Sequence, residues 1–355
     1  MRPVVFVVPG ALRTLTGGYL YNQRIIDGLR ELGWPVDVLQ LDGSFPRPTR
    51  EALATADRLL AAVPDGAILV VDSLALGAMP DLVQREADRQ SVVGLVHLPL
   101  TAALGLDPRD EAAFEKSEGQ ALQTTARVIV TGRAAVPLLA RYGLPDDLVV
   151  VVSPGVDRAD VARGTARAEG AGGAPVHLLT VATVNREKGH ECLMRALGSV
   201  ASRNWRLTCV GNLQRDRTTV TRVRALVREH DLDVRVTFTG ELEGQALADA
   251  FNRADVYVSA SLRETYGMAV AEALARGLPV VGTATGATRE LVGADAGVIV
   301  PPGDEWALSD ALEHVIGNPD LRADLADGAL DVRERLTPWP ETVAAFAAVL
   351  EALPC

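Results

Sequence analysis

Two glutamates eight residues apart, Glu264 and Glu272, bracket the segment Glu-Thr-Tyr-Gly-Met-Ala-Val-Ala-Glu, which follows a β-branched run at 256–259 and opens a helical pattern. Gly267 lets backbone approach a ligand closely, and the unsatisfied N–H groups of the first turn, around Met268, Ala269 and Val270, make an anion site that the helix dipole reinforces. A diphosphate fits there. Helical rise alone sets residues eight apart at about 12 Å, so the carboxylates could hold hydroxyls at opposite ends of an extended ligand. By itself the segment also fits a solvated Glu264 and a surface helical Glu272.

A second constellation is Val-Ala-Thr-Val-Asn-Arg-Glu-Lys-Gly-His over 181–190, a strand running into a loop and then a helix. A cation here can neutralise a departing diphosphate. Lys188 is one of only two lysines in an arginine-rich chain, the other being Lys116, which suggests that a compact ammonium is wanted; an exposed loop lysine is the plain alternative. Gly17-Gly18, expected in the loop after the first strand and before a helix starting near Tyr19, would let backbone N–H groups meet a phosphate or sugar, or would simply make a turn. His97 closes the run 92–96, where a side chain lines a crevice or packs structurally.

These residues need a scaffold that brings strand ends together. Short β-branched runs at 4–8, 36–41, 67–71, 92–96, 127–130 and 148–152 alternate with amphipathic stretches such as 19–32. The alternation restarts at 177–181, 206–210, 235–238, 256–259, 279–282 and 298–300. Such a pattern predicts parallel sheets covered by helices. Between 157 and 175 the sequence turns to Arg, Ala and Gly without periodicity, which reads as a linker. The expected division is 1–156, linker 157–175, 176–337, and a closing helix within 338–355 after Pro338-Trp339-Pro340.

A length of 355 residues suits about two such domains, and 48% apolar residues can fill both cores. The net charge of −11 argues against a nucleic-acid partner. Cys192, Cys209 and Cys355 have neither metal nor redox spacing and fit free thiols in a reducing compartment. With no secretory pattern or membrane span evident, a cytoplasmic protein is expected. Pro9-Gly-Ala-Leu-Arg-Thr replaces any G-x-G-x-x-G fingerprint after the first strand, which disfavours a nicotinamide enzyme. Phosphate-loop and G-x-S-x-G motifs are also missing. Asp231-Leu-Asp233 reads as a polar helix end, not a metal site, and no metal or other cofactor is expected.

The Glu264–Glu272 segment resembles the paired-glutamate motif of the retaining glycosyltransferases of family 4. The likeness extends through Thr239-Gly240, Ala254-Asp255-Val256-Tyr257-Val258, Ala271-Glu272-Ala273, Gly277-Leu278-Pro279-Val280-Val281 and Gly297-Val298-Ile299-Val300-Pro301-Pro302-Gly303-Asp304. It implies the α/β GT-B fold: two doubly wound, Rossmann-like parallel-sheet domains facing across a cleft, with the C-terminal helix crossing back to the first. It also implies that Glu264 contacts donor-sugar hydroxyls, that Gly267 to Val270 hold the diphosphate, and that Glu272 binds ribose. Lys188, Leu242, Tyr266, Gly17 and Gly18 complete the implied donor set. The family carries an arginine five positions before the lysine; Thr183 stands there, and Arg186 is the substitute candidate. Family members have His followed by Asp near His97; Leu98 follows here, so His97 is carried over among the catalytic candidates as a cleft-lining residue.

The resemblance implies retaining, metal-independent transfer from a nucleotide-diphosphate sugar, a UDP-sugar first. Residues 1–155, expected on the acceptor side, hold 14 lysines and arginines against 18 acids, a net of −4. No basic amphipathic face for an anionic membrane stands out there, which favours a small soluble acceptor. A sugar-nucleotide epimerase or hydrolase of the same fold, and a non-catalytic nucleotide-sugar binding protein, are the alternatives. The 157–175 stretch and the Pro338-Trp339-Pro340 corner are expected hinges.

Overall fold

The computed structural model describes residues 1–165, 174–202 and 204–354. The chain forms two compact units, Met1–Gly155 with Thr337–Cys355, and Val156–Leu336.

In the first unit β1 (Val4–Pro9), β2 (Val36–Leu41), β3 (Ile68–Asp72), β4 (Ser91–Val96), β5 (Arg127–Val130) and β6 (Val149–Val151) form one parallel sheet in the order β2-β1-β3-β4-β5-β6. Every residue of β1 and β3 is buried, which is why these strands read as unbroken apolar runs. Helices α1 (Gly17–Glu31), α2 (Arg50–Ala61), α3 (Ser73–Leu76), α4 (Pro80–Ala87), α5 (Pro108–Gln123) and α6 (Val136–Leu139) lie between the strands in sequence. The first helix begins at Gly17, two residues before the expected start at Tyr19, so the glycine pair forms its first turn rather than a preceding loop.

The second unit repeats the plan with β7 (Val176–Val181), β8 (Trp205–Val210), β9 (Val236–Gly240), β10 (Val256–Ser259), β11 (Val280–Thr283) and β12 (Gly297–Val300), in the order β12-β11-β10-β7-β8-β9. Its helices are α7 (His190–Ser199), α8 (Arg217–Glu229), α9 (Gly244–Arg253), α10 (Met268–Leu274), α11 (Thr288–Val292), α12 (Glu305–Gly317) and α13 (Pro319–Arg333). The chain winds outward from β7 to β9, then returns to build β10 to β12 on the other side of β7. That reversal makes the β7/β10 boundary a topological switch point, where a crevice opens at the carboxyl ends of the strands. Of the expected linker, residues 157–165 bond to this unit: Ala162 N–H donates to Arg276 O at 2.9 Å, and the Thr165 hydroxyl to Asp255 Oδ2 at 2.7 Å. Residues 166–173 of that stretch lie outside the described residues.

Cys192 and Cys209 are buried free thiols; Cys355 lies outside the described residues. Asp231 is the left-handed residue, φ 54°, that follows α8, as a polar helix end requires. Among the described residues no helix is long and apolar enough to cross a membrane, and no group of three or more His, Cys, Asp or Glu side chains could hold a metal ion.

The closing helix α14 (Trp339–Glu351) belongs to the first unit. Phe346 stacks on Phe6 with ring centroids 6.0 Å apart, and Arg2 donates to Pro354 O at 3.0 Å. Where α14 meets α1, a Cβ on Gly28 would lie 2.4 Å from one Val343 methyl and 2.9 Å from the other. Gly28 thus sets how closely the two helices approach. Gly28→Ala is expected to lower the urea midpoint. Overpacking costs about 1–3 kcal/mol, against a gain of about 0.8–1 kcal/mol in helix propensity. Combining it with Val343→Ala should cost less than the sum of the two single changes. Strict additivity would show that the helices part freely at this point.

Candidate functional site

At the switch point of the second unit, the loop after β7 and the loop after β10 are fastened to each other. Ala182 and Val184 extend the β7–β8 pairing through N–H bonds to Val210 O at 2.8 Å and Asn212 O at 3.0 Å. The Asn185 side chain then accepts from Lys188 N at 3.1 Å, closing one 3-10 turn over Arg186–Lys188. Gly189, at φ 65°, turns the chain into α7. From the other loop, Leu262 N–H donates to Glu187 O at 2.7 Å. A Cβ on Gly189 would sit 1.9 Å from Ala260 O, so only glycine permits this approach.

The outcome is an ion pair between the two loops. Lys188 Nζ lies 2.5 Å from Glu264 Oε1, and Ser261 Oγ donates to the same oxygen at 3.1 Å. Ser261 is held from below by the Thr283 hydroxyl, which donates to its carbonyl at 2.5 Å. Side-chain exposures of 26% and 18% leave the pair open to an incoming ligand. A third loop, after β11, presses on it: a Cβ on Gly286 would lie 2.7 Å from Glu264 O.

Gly267, at φ 99°, precedes α10. Val270 N–H bonds Gly267 O at 2.9 Å, and the Val270 side chain belongs to the core. The expected anion contacts therefore narrow to the backbone of Gly267, Met268 and Ala269. Glu272 is the fifth residue of α10; its carbonyl accepts from Arg276 at 2.8 Å. Burial pushes the Tyr257 phenol far above its ordinary range, and the charges of Glu264 and Glu272 push it further up. Both carboxylates thus act on one buried ring beneath the switch point.

The remaining second-unit candidates divide. Thr183 is half-buried at the base of the Lys188 loop, where its N would lie 2.9 Å from a Cβ on Gly211. The Arg186 side chain is exposed, while its N–H is held by the Asp216 carboxylate. Leu242 is partly buried and packs against the core cluster that contains Tyr257 and Val210. Tyr266 packs on Val156, Ala271 and Ala275, and burial, with Glu290 adding, pushes its phenol up to about 12. His190, immediately after Gly189, is 1% exposed, and neither ring nitrogen has a partner. Burial, with Lys188 adding, holds it down to about 4, so the ring is neutral at pH 7.

In the first unit the structure brings Gly18 and His97 together: a Cβ on Gly18 would lie 3.1 Å from the imidazole. Gly17 is exposed at the helix head. His97 Nε2 lies 2.9 Å from Asn22 Oδ1, and Asn22 Nδ2 donates to Asp72 Oδ2 at 3.0 Å. Burial lowers the His97 pKa and Asp72 opposes that shift. The turn after His97 is pinned by Glu118, whose oxygens accept from Leu100 N at 3.1 and 2.9 Å. Burial raises Glu118 to about 7. Sequence reasoning missed Asn22 and Asp72, whose signal was present: a polar residue on the apolar stripe of α1, and an acid ending an apolar strand. Nothing in the pattern marked Ser261 or Thr283.

Comparison with known proteins bears on this site. Residues 175–318 match the family described as Glycosyl transferases group 1. The matched stretch contains Lys188, Glu264, Gly267 and Glu272. The chain is 34% identical over 233 residues to a D-inositol 3-phosphate glycosyltransferase of Xylanimonas cellulosilytica, covering 62% of this chain and 55% of that one. It is 30% identical over 240 residues to its namesake in Pseudarthrobacter chlorophenolicus, covering 65% and 56%. The chain thus spans little more than half the length of these relatives. Among solved structures, sucrose-phosphate synthase from Thermosynechococcus elongatus superposes with a TM-score of 0.84 at 20% identity, over 99% of both chains. Anabaena HepE in complex with UDP and glucose gives 0.78 at 17% identity, again over 99% of both. At such identities the likeness shows the fold, and it is the α/β GT-B class that the sequence resemblance implied.

Gly189→Ala tests the fastening of the loops. Left-handed backbone costs about 1–2 kcal/mol for a residue with a Cβ, and the collision with Ala260 O adds about 1–3 kcal/mol. Gly240→Ala, at φ 77° with nothing within 4 Å of its Cβ, should carry the backbone strain alone. Urea unfolding is expected to separate the two variants; equal losses would mean that the two loops yield without cost.

Proposed function

We propose that the protein is a glycosyltransferase that moves a sugar from a nucleotide-diphosphate sugar, a UDP-sugar first, to a small soluble acceptor, with retention and without a metal ion. The observation that carries the reading is the Lys188–Glu264 pair at the β7/β10 switch point, inside the region that matches the glycosyl transferases group 1. UDP and glucose in HepE, and the activity named for the two relatives, support the donor and acceptor classes.

In this reading Glu272 accepts hydrogen bonds from ribose hydroxyls. The diphosphate lies between Lys188 and the backbone of Gly267 to Ala269, and Glu264 exchanges part of its bond with Lys188 for donor-sugar hydroxyls. The anomeric carbon–oxygen bond breaks with its electron pair going to the diphosphate, whose growing charge Lys188 stabilises. The acceptor oxygen bonds to the anomeric carbon on the same face, and its proton passes to the departing phosphate oxygen. Thr183 and Leu242 border the donor site, Tyr266 braces α10, and Arg186 supplies a second, solvent-exposed cation. Gly17, Gly18 and His97 are the groups that the first unit can offer to sugar hydroxyls.

The deciding experiment incubates the protein with a panel of nucleotide sugars and acceptors in EDTA and follows nucleotide and product by mass spectrometry and anomeric NMR. Acceptor-dependent nucleotide release with a retained anomeric configuration is expected. Free sugar or an isomerised donor without acceptor would replace transfer by hydrolysis or epimerisation. Loss in EDTA restored by magnesium would overturn the metal-independent part alone.

Two variants separate binding from chemistry. Glu272→Ala is expected to weaken nucleotide binding by about 1.5–3 kcal/mol, the worth of hydrogen bonds to a charged group, with turnover at saturation less affected. Lys188→Ala should act mainly on kcat, by about 2.7–4 kcal/mol, because it meets charge that develops as the bond breaks. Calorimetry with UDP and initial rates would read both. The reverse pattern, with Lys188→Ala losing only affinity, would make Lys188 a ground-state anchor.

A further inference from the structure

We propose that Asp72 and Asn22 are positioning residues that fix His97 as the Nε2–H tautomer, so that Nδ1 is offered as a hydrogen-bond acceptor to a substrate hydroxyl. Asp72 is the member with no choice of role. A carboxylate accepts and does not donate. Asp72 Oδ1 takes the N–H of Leu74 at 3.0 Å, and Oδ2 takes the Asn22 amide at 3.0 Å. The Asn22 NH₂ must therefore point at Asp72, which turns its carbonyl towards His97. A carbonyl cannot donate, so the proton in the 2.9 Å contact belongs to His97 Nε2. Asp72 Oδ2 is itself 3.6 Å from that nitrogen, beyond direct hydrogen-bond reach, so the amide transmits the constraint.

Packing holds the ring in place. Asn22 is 0% and Asp72 3% exposed, and burial makes an unpaired polar group costly, so neither side chain has a cheap alternative. Tyr21 meets the His97 ring in a T-shaped contact with centroids 5.6 Å apart, and Gly18 packs so close to it that a Cβ would lie 3.1 Å from Cδ2 and 3.4 Å from Nε2. The His97 side chain keeps 19% exposure, enough for a ligand to reach. The titratable and charged groups facing the ring are Asp72, from the end of β3, and Tyr21, from α1. Burial outweighs Asp72 and lowers the His97 pKa, so a neutral ring with one defined lone pair prevails at pH 7. Three elements contribute: Asn22 from α1, Asp72 from β3, and His97 from the end of β4. The role towards a hydroxyl rests on the proposed transfer activity; the tautomer does not.

The test is long-range proton–nitrogen NMR on the full chain labelled with ¹⁵N-histidine, without ligand, at pH 7.5, with the His97 signals assigned through His97→Gln. A protonated-type Nε2 and an unprotonated-type Nδ1 are expected. An Nδ1–H form or an even mixture in the parent protein overturns the proposal without any variant. Asp72→Asn frees the Asn22 amide to rotate and should convert His97 into a tautomer mixture and shift its titration to lower pH, with UDP affinity unchanged. An unchanged His97 spectrum in folded Asp72→Asn would remove Asp72 from the relay. In the transfer assay kcat should fall along with the Nε2–H population. A folded, tautomer-mixed variant with full kcat would overturn the role at the hydroxyl, whereas inactivity of the parent would strike the transfer reading and leave the spectrum to judge the relay.

Discussion

The ion pair between Lys188 and Glu264 is the contact around which the second unit is arranged. Its partners stand 76 residues apart in the chain, and they meet because β7 and β10 are neighbours although β8 and β9 come between them in sequence. A partly exposed pair of this kind adds little net stability, so its value lies in charge placement. It keeps a cation and a carboxylate at one strand edge, where an incoming anion and a hydroxyl-bearing group can take up either partner.

Holding two flexible charged side chains in one place requires rigid backbone under them. The structure supplies it with strand extensions at Ala182 and Val184, the Leu262 bond to Glu187, and the Thr283 hydroxyl beneath Ser261. It also relies on the absence of side chains. Gly189 and Gly286 stand where any Cβ would strike the carbonyl of the neighbouring loop. The glycines around the ion pair are therefore those at which three loops touch, and their role is steric.

The first unit follows the same logic with a different device. The ends of β1 and β3, adjacent in the sheet, form its own switch point, and α1 leaves from the β1 side. Here the fixed element is a buried chain of hydrogen bonds from Asp72 through Asn22 to His97. There a buried carboxylate is satisfied by N–H donors from Leu74 and Asn22, whereas the ion pair stands at the more open edge of the second unit.

Much of this protein was legible in its sequence, for definite physical reasons. Strands buried on both faces must be continuous apolar runs, as β1 and β3 are, and these stand out along the chain. The turns from strand to helix at Gly267 and Gly189 carry local signals, since their left-handed backbone calls for glycine. Other features needed tertiary structure. Strand order decided which loops adjoin, and therefore that Lys188 pairs with Glu264 and that Thr283 supports Ser261. Helix α1 begins at Gly17 rather than Tyr19, although propensity places glycine outside a helix, and Gly18 in its first turn meets His97. The stretch 157–165 looked like free linker by composition, yet Thr165 bonds Asp255, a partner that pattern along the chain cannot name. Periodicity and residue type determined the elements and the chemistry each end could offer. Hydrogen bonds between residues tens of positions apart decided which of those ends act together, because distance in space is set by sheet order and not by distance along the chain.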